Sequence, residues 1–218
     1  MDEKNDLKRN AYKFIRKRII TGEFVSGQDI NEREIQEQIS MSRTPIREAL
    51  IQLKWESFIE VFPRKGIFVA PITTKMINNI YQIRDLFEPT ILKLSEKKLD
   101  KDKLLEFKEV FENIPADLQF SQLNDYFIKW DNAFHFFIIN SSQNELLVKI
   151  MDNILNHNQR IRYQSYNKVN KRYMSSNIEH ILVINALLQG NVEEASNYMR
   201  QHIANSRNIA LSLDNIVR

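Results

Sequence analysis

Residues 42–50 read SRTPIREAL and place two arginines, Arg43 and Arg47, four residues apart at the predicted start of a helix. Residues four apart project from the same side of a helix, one turn above the other. Pro45 fits the first helical turn, where the missing N–H has no helical partner to lose. Two guanidinium groups beside a helix N-terminus favour binding to an anion, although each arginine alone could instead pair with a neighbouring glutamate.

The elements around this stretch predict a small DNA-binding module. Apolar residues recur at helical spacing over residues 6–21, and residues 31–39, NEREIQEQI, form a second short helix that ends near Met41. After the third helix, residues 58–71, FIEVFPRKGIFVAP, predict two strands joined by a turn at PRKG. Three helices followed by a hairpin are the layout of a winged helix-turn-helix, whose third helix enters the major groove.

Four separated motifs in this segment resemble the DNA-binding domain of GntR-family bacterial transcription regulators. They are IITGEFVSGQDI, NEREIQEQI, MSRTPIREALIQL and RKGIFVA, and the resemblance covers about residues 10–71. It implies that Arg33, Arg43, Thr44 and Arg47 contact double-stranded operator DNA and that Gly66 lets the wing approach the minor groove. Lys65, in the basic turn PRKG, is a further candidate for contact with phosphate. Ser57 departs from the pattern, because the family usually has glycine there.

Composition limits the remaining possibilities. The chain has 218 residues, of which 43% are hydrophobic and 10% aromatic, enough to bury a sizeable core. The sequence contains no cysteine, which excludes disulfides and thiolate metal sites. A charged N-terminus and the lack of long apolar runs predict a cytoplasmic protein without a membrane segment.

From Thr73 onward the strand-like runs disappear and six amphipathic stretches follow. They cover residues 73–98, 101–113, 118–140, 143–167, 171–189 and 191–213. The sequence therefore predicts a mainly α protein, with a winged helix-turn-helix domain over residues 1–72 and an antiparallel all-helical bundle of about six helices over residues 73–218.

The histidines all lie in this second segment. Asp131 and His135 are four residues apart and share one apolar helix face, while His180 and His202 each lie on the apolar face of a later helix. A single histidine on an apolar face is most often a hydrogen-bonded core residue. One carboxylate and three imidazoles facing a common interior are also a suitable ligand set for a divalent metal, and spacing alone leaves both interpretations open.

This segment resembles the FCD ligand-binding domain of the FadR branch of the same family, over about residues 75–212, and six helices suit its VanR-like subgroup. The resemblance implies that Asp131, His135, His180 and His202 bind one divalent ion, Zn, Ni or Mn. The expected effector is a small carboxylate metabolite that completes the metal's coordination. The expected assembly is a homodimer, because one winged helix alone reads too few base pairs for useful specificity.

Three further residues are candidates for effector binding, because a cationic or donor-rich rim suits a carboxylate. They are Arg84, His157 and Arg160. The alternatives are that Arg84 pairs with Glu88 and that His157 is a core residue.

The expected function is that of a metabolite-responsive transcription regulator, a repressor by default, whose sign of response the sequence does not decide. One alternative is a metal-dependent enzyme fused to a DNA-binding module. A clear general base for it is missing, because Glu179, the neighbour of His180, points about a hundred degrees away on an ideal helix. The other alternative is a constitutive DNA-binding protein with a structural metal.

Overall fold

The computed structural model describes residues 3–164 and 170–212, which form two compact units, one up to Ile72 and one from Thr73. The first unit contains three helices and a hairpin. These are α1 (Glu3–Thr21), α2 (Glu32–Ile39), α3 (Arg43–Trp55), β1 (Ile59–Phe62) and β2 (Gly66–Val69).

Helices α1 and α3 form the core of this unit. Ala11, Ile15 and Ile19 recur at four-residue intervals on α1 and are fully buried, as are Ile46 and Leu53 on α3. The apolar stripe of α3 thus lies in the core and leaves the arginine-bearing side of the helix at the surface.

The wing is more than a hairpin. Strands β1 and β2 are antiparallel, with Ile59 opposite Val69 and Phe62 opposite Gly66. The segment 27–30, expected as loop, lies along the other edge of β2: the N–H of Gly27 donates to the carbonyl of Val69 at 2.9 Å. Gly66 has φ +124°, and a Cβ there would lie 2.9 Å from Oδ1 of Asp29, so this turn position requires glycine.

The backbone conformation at Ser57 explains why the family usually has glycine at this position. It has φ +63°, in the left-handed region. Its N–H donates to the carbonyl of Lys54 at 3.0 Å, and the N–H of Phe58 donates to the carbonyl of Leu53 at 2.9 Å. This is a Schellman ending of α3, in which the left-handed position favours glycine because a Cβ is strained there.

The second unit contains six α-helices within residues 73–164 and 170–212, as predicted. These are α4 (Thr74–Ser95), α5 (Lys101–Glu112), α6 (Phe120–Asn140), α7 (Glu145–Gln164), α8 (Asn170–Leu188) and α9 (Val192–Leu211), with a 3-10 turn at Glu96–Lys98. The predicted helix ends at residues 167 and 213 lie outside the described residues. The prediction of a mainly α fold is confirmed.

The helices of this unit pack in a chain of neighbours. α4 packs on α9, α9 on α8 and α8 on α5, while α6 packs on α7, and α4 also contacts α6 and α7. Helical spacing with His157 and Ile161 predicts that Ile150 lies on the inward side of α7, and this prediction is wrong, because Ile150 is 55% exposed. Among the helices that the structure describes, none combines the length and the apolarity that crossing a bilayer requires.

Candidate metal centre and nucleic-acid interface

Three helices bring four predicted side chains together in the interior of the second unit. Asp131 and His135 come from α6, His180 from α8 and His202 from α9, and all four are buried. One donor atom from each lies within 4.8 Å of the other three. The i, i+4 spacing on α6 fixes the first pair, and the packing of α8 on α9 supplies the other two.

The imidazole nitrogens converge through Nε2. His202 Nε2 lies 3.2 Å from His135 Nε2 and 3.3 Å from His180 Nε2. Oδ1 of Asp131 lies 3.5 Å from His180 Nε2 and 3.9 Å from His135 Nε2. Three imidazole nitrogens and one carboxylate oxygen around one point fit a divalent cation such as Zn, Ni or Mn.

Two further carboxylates contact the outer nitrogens of these histidines. His135 Nδ1 donates to Glu88 Oε2 at 2.6 Å, and His202 Nδ1 donates to Glu179 Oε2 at 2.7 Å. A carboxylate on the outer nitrogen of an imidazole is the common second layer of histidine metal sites. Nδ1 of His180 is buried without a hydrogen-bond partner among the described residues.

Two arginines contact the same donor atoms. Arg162 Nη1 is paired with Oδ1 of Asp131. Arg84 Nη2 lies 3.1 Å from His135 Nε2, and its Nε donates to Glu88 Oε1 at 2.7 Å. Asp131 Oδ1 and His135 Nε2 therefore already face guanidinium groups, with which a metal ion bound at this point would compete.

Burial and charge set the protonation of the centre. Burial, with neighbouring His202, lowers the pKa of His180 well below its usual 6.5, and burial lowers that of His202 to about 4 despite the bond to Glu179. Burial would raise the pKa of Asp131, but Arg162 and the imidazoles lower it below its usual value. Neutral imidazoles and an ionised carboxylate are the forms that bind metal.

The three effector candidates all lie in the interior. Arg84 pairs with Glu88, as the alternative interpretation had it, and also contacts His135. His157 and Arg160 are buried on α7, and burial lowers the pKa of Arg160 to about 10. It is the unpredicted Arg162, one half-turn further along α7, that reaches Asp131.

The sequence interpretation missed the second-layer carboxylates. Glu179 does point away from the ligand face of α8, as expected, but it thereby reaches Nδ1 of His202 on α9. Glu88 lies 47 residues before His135, and no local pattern links them. The only available signal was the Arg84–Glu88 spacing, which predicted an ion pair and not its imidazole neighbour.

The DNA-binding candidates lie at the surface of the first unit. Arg33 and Arg47 are 81% and 61% exposed, and Arg43, Thr44, Lys65 and Gly66 are exposed as well. Each arginine contacts a polar side chain of α2. Arg33 Nε donates to Glu37 at 3.1 Å, Arg43 Nε to Gln36 at 3.2 Å, and Arg47 Nε to Glu32 at 3.0 Å. Exposed pairs of this kind are worth about 0 to 1 kcal/mol, so they leave the guanidinium groups available to DNA.

Two family models match the chain. The FCD domain model matches residues 79–205, more than half of the chain, and the model of bacterial regulatory proteins of the gntR family matches residues 7–69. The chain belongs to the GntR family and carries an FCD domain. It is a transcription regulator.

Relatives of known sequence align along most of this GntR–FCD chain. The Nta operon transcriptional regulator of Aminobacter aminovorans is 29% identical over 187 residues, which cover 83% of each chain. The HTH-type transcriptional repressor RspR of Escherichia coli is 22% identical over 197 residues, covering 90% of this chain and 86% of its own.

Solved structures share the fold. McbR/YncC of E. coli superposes with a TM-score of 0.78 at 19% identity and covers 97% of this chain and 98% of its own. The Zn2+-bound FCD domain of TM0439 superposes with a TM-score of 0.53 at 25% identity, covering 65% of this chain and 96% of its own.

Proposed function

We propose that this GntR–FCD regulator is a homodimeric repressor that binds a divalent metal in its helical unit and responds to a small carboxylate metabolite. The observation that carries the proposal is the convergence of Asp131, His135, His180 and His202 on one point. A regulator whose second unit only served packing would not require four buried polar side chains to share one site.

Three features support the metal. The imidazoles of His180 and His202 are neutral near pH 7, two of the three histidines have an outer carboxylate, and the donor set excludes thiolates. The FCD domain of TM0439, which is 25% identical, has been solved with Zn2+ bound. Zn, Ni and Mn all suit these ligands, and competition among them is decided by geometry and supply.

The charges around the centre support an anionic effector. Asp131 is the single carboxylate among the four donors, so a divalent ion there keeps a net positive charge and, when bound, supplies a Lewis-acidic contact for a carboxylate. Arg162 adds a cation at Asp131, while Arg84 is largely neutralised by Glu88. His157 and Arg160 are the further candidates on α7.

The surface of α3 and the wing support the DNA partner. Arg43, Thr44 and Arg47 lie at the N-terminal end of α3, and Arg33 lies on α2. An arginine fork reads guanine through O6 and N7 or clasps a phosphate. Lys65 and Gly66 lie at the wing turn, where a cation beside a glycine suits close approach to the DNA backbone.

Repression and dimerisation complete the proposal. RspR is named a repressor, which supports the same sign here. One winged helix-turn-helix reads few base pairs, and two related copies on a pseudo-palindromic operator supply the specificity that a single copy lacks.

The test combines elemental analysis with operator binding. Wild-type chain reconstituted with Zn, Ni or Mn is expected to hold one metal, and His180→Ala or His202→Ala to lose it. Both variants should keep basal operator binding and lose any response to a panel of small carboxylates. Well under one metal per wild-type chain refutes the metal, whereas a full complement with no carboxylate response assigns the metal a structural role only.

A further inference from the structure

Glu88 and Glu179 contact two of the candidate ligands from outside, each through Nδ1. The distances are 2.6 Å from Glu88 Oε2 to His135 and 2.7 Å from Glu179 Oε2 to His202. An ionised carboxylate only accepts hydrogen bonds, so each short contact requires the proton on Nδ1. The Nε2 lone pair of both rings is then directed into the centre.

We propose that Glu88 and Glu179 are positioning residues, which hold His135 and His202 in the Nδ1–H tautomer and thereby set the metal affinity of the site. The proposal rests on the metal function proposed above. It assigns the second layer of the site, not its ligands.

Each carboxylate has a partner that fixes its own orientation. Glu88 is fully buried and accepts from Arg84 Nε through its other oxygen, Oε1. Glu179, 16% exposed, accepts from Asn205 Nδ2 through Oε1 at 2.8 Å, which leaves Oε2 for His202. With one oxygen occupied, neither carboxylate is free to rotate away from its imidazole.

His180 provides an internal contrast. Its Nδ1 is buried without a partner among the described residues, and its ring is held by Phe111 and Phe134, with centroids 4.8 Å and 5.0 Å away. The acceptors available to it, Asp131 Oδ1 and His202 Nε2, both face its Nε2. In the metal-free chain, His180 is therefore the histidine that carries its proton on Nε2.

Nitrogen NMR of the full, metal-free chain labelled at histidine distinguishes the two tautomers for each ring. The expected pattern is Nδ1–H for His135 and His202 and Nε2–H for His180. Glu179→Gln should abolish the preference at His202 and leave His135 unchanged, because a glutamine amide can donate or accept and no longer selects a tautomer. A purely structural role of Glu179 would not change one ring selectively.

Metal affinity is the second readout, measured by competition between the chain and a chromophoric chelator for Zn2+. Glu179→Gln should weaken binding by about 10- to 100-fold. The matched control is Glu193→Gln, which removes one negative charge from α9, the helix of His202, at a residue whose carboxylate pairs with Lys93 on the surface. This control should stay within about twofold of wild type, as expected for a screened surface charge.

Glu179 carries the test because it is 16% exposed, whereas Glu88→Gln would remove the charge partner of the fully buried Arg84. Should circular dichroism show that Glu179→Gln does not fold, Asn205→Ala, which removes only the orienting amide, is judged by the same two readouts. The proposal is overturned if the wild-type chain binds one metal and the variant keeps both the wild-type tautomer of His202 and the wild-type affinity for Zn2+. A wild-type chain that binds no metal instead refutes the proposed metal function. The tautomers are measured on the metal-free chain, so they test the role of Glu179 separately from metal binding.

Discussion

At the scale of single residues, Ser57 stands in a backbone conformation that its side chain disfavours. Its φ of +63° places it in the left-handed region, where an L-residue is strained by about 1–2 kcal/mol. Glycine relieves this strain but loses more backbone entropy on folding. The free energy of unfolding of Ser57→Gly should therefore rise by about 0.5–1 kcal/mol, measured by urea denaturation. Ser57→Ala, which keeps the Cβ, is the control and should bring no gain; equal stability of the two variants would contradict the argument.

Arg47 supports a second prediction at this scale. Its exposed guanidinium is held by Glu32, a partner that phosphate or a base edge can replace. Arg47→Ala should weaken operator binding by about 5- to 150-fold, since such a contact is worth about 1–3 kcal/mol. The measurement is a titration by fluorescence anisotropy at fixed salt. Lys13→Ala on α1 removes an equal charge from another exposed surface and should have a smaller effect; identical losses for both would argue for charge alone.

At the scale of secondary-structure elements, α8 and α9 bring His180 and His202 into the interior as neutral groups. The folded-state pKa of His202, about 4, lies below its unfolded value of 6.5. Between these two pKa values the unfolded chain therefore binds more protons than the folded chain, and the free energy of unfolding decreases as the pH falls. Glu88 has a folded-state pKa of about 2 and an unfolded value of 4.5, so it is ionised in both states above about pH 5 and its own contribution is lost only at lower pH.

Acid should accordingly destabilise the metal-free chain before its ordinary carboxylates titrate. Between pH 6.5 and 5, His202 alone should reduce the free energy of unfolding by an amount on the order of 2 kcal/mol. Urea denaturation at pH 7.5, 6 and 5 measures this, and His202→Leu should flatten the dependence. A wild-type stability that does not change over this range would show that the imidazole is not held neutral.

The sequence predicted the secondary-structure elements of the second unit correctly. Apolar periodicity predicted all six helices of the second unit, and the four-residue spacing placed Asp131 and His135 on one face, because both signals are local. What it could not supply was the choice of helix neighbours. Glu88 meets His135, and Glu179 meets His202, only because α4 and α8 pack where they do, a consequence of side-chain fit along whole helices. The predicted burial of Ile150 was wrong for a related reason: an apolar residue does not have to be buried.

At the scale of the whole molecule, the helical unit exposes several large apolar side chains. Leu94 on α4, Leu146 on α7 and Ile178 on α8 are 77%, 72% and 59% exposed. Single exposed apolar residues are ordinary, but several on one small unit favour an interface with another copy, on whichever face carries it. A regulator that reads a pseudo-palindromic operator needs a second copy in any case.

The full chain should therefore sediment as a dimer at micromolar concentration, and residues 73–218 alone should do the same, because the larger unit carries these exposed side chains. Residues 1–72 alone should sediment as a monomer.

Replacing Ile178 or Leu94 by Asp, one per variant, should raise the dissociation constant of the dimer at least tenfold for whichever residue lies in the interface, since burying an unpaired carboxylate costs more than about 1.4 kcal/mol. Lys149→Asp, an exposed position without an apolar side chain, is the control. A monomeric full chain at 10 times the concentration used for operator binding would remove the homodimer from the proposed mechanism, and a dimer retained by residues 1–72 alone would move its interface to the DNA-binding unit.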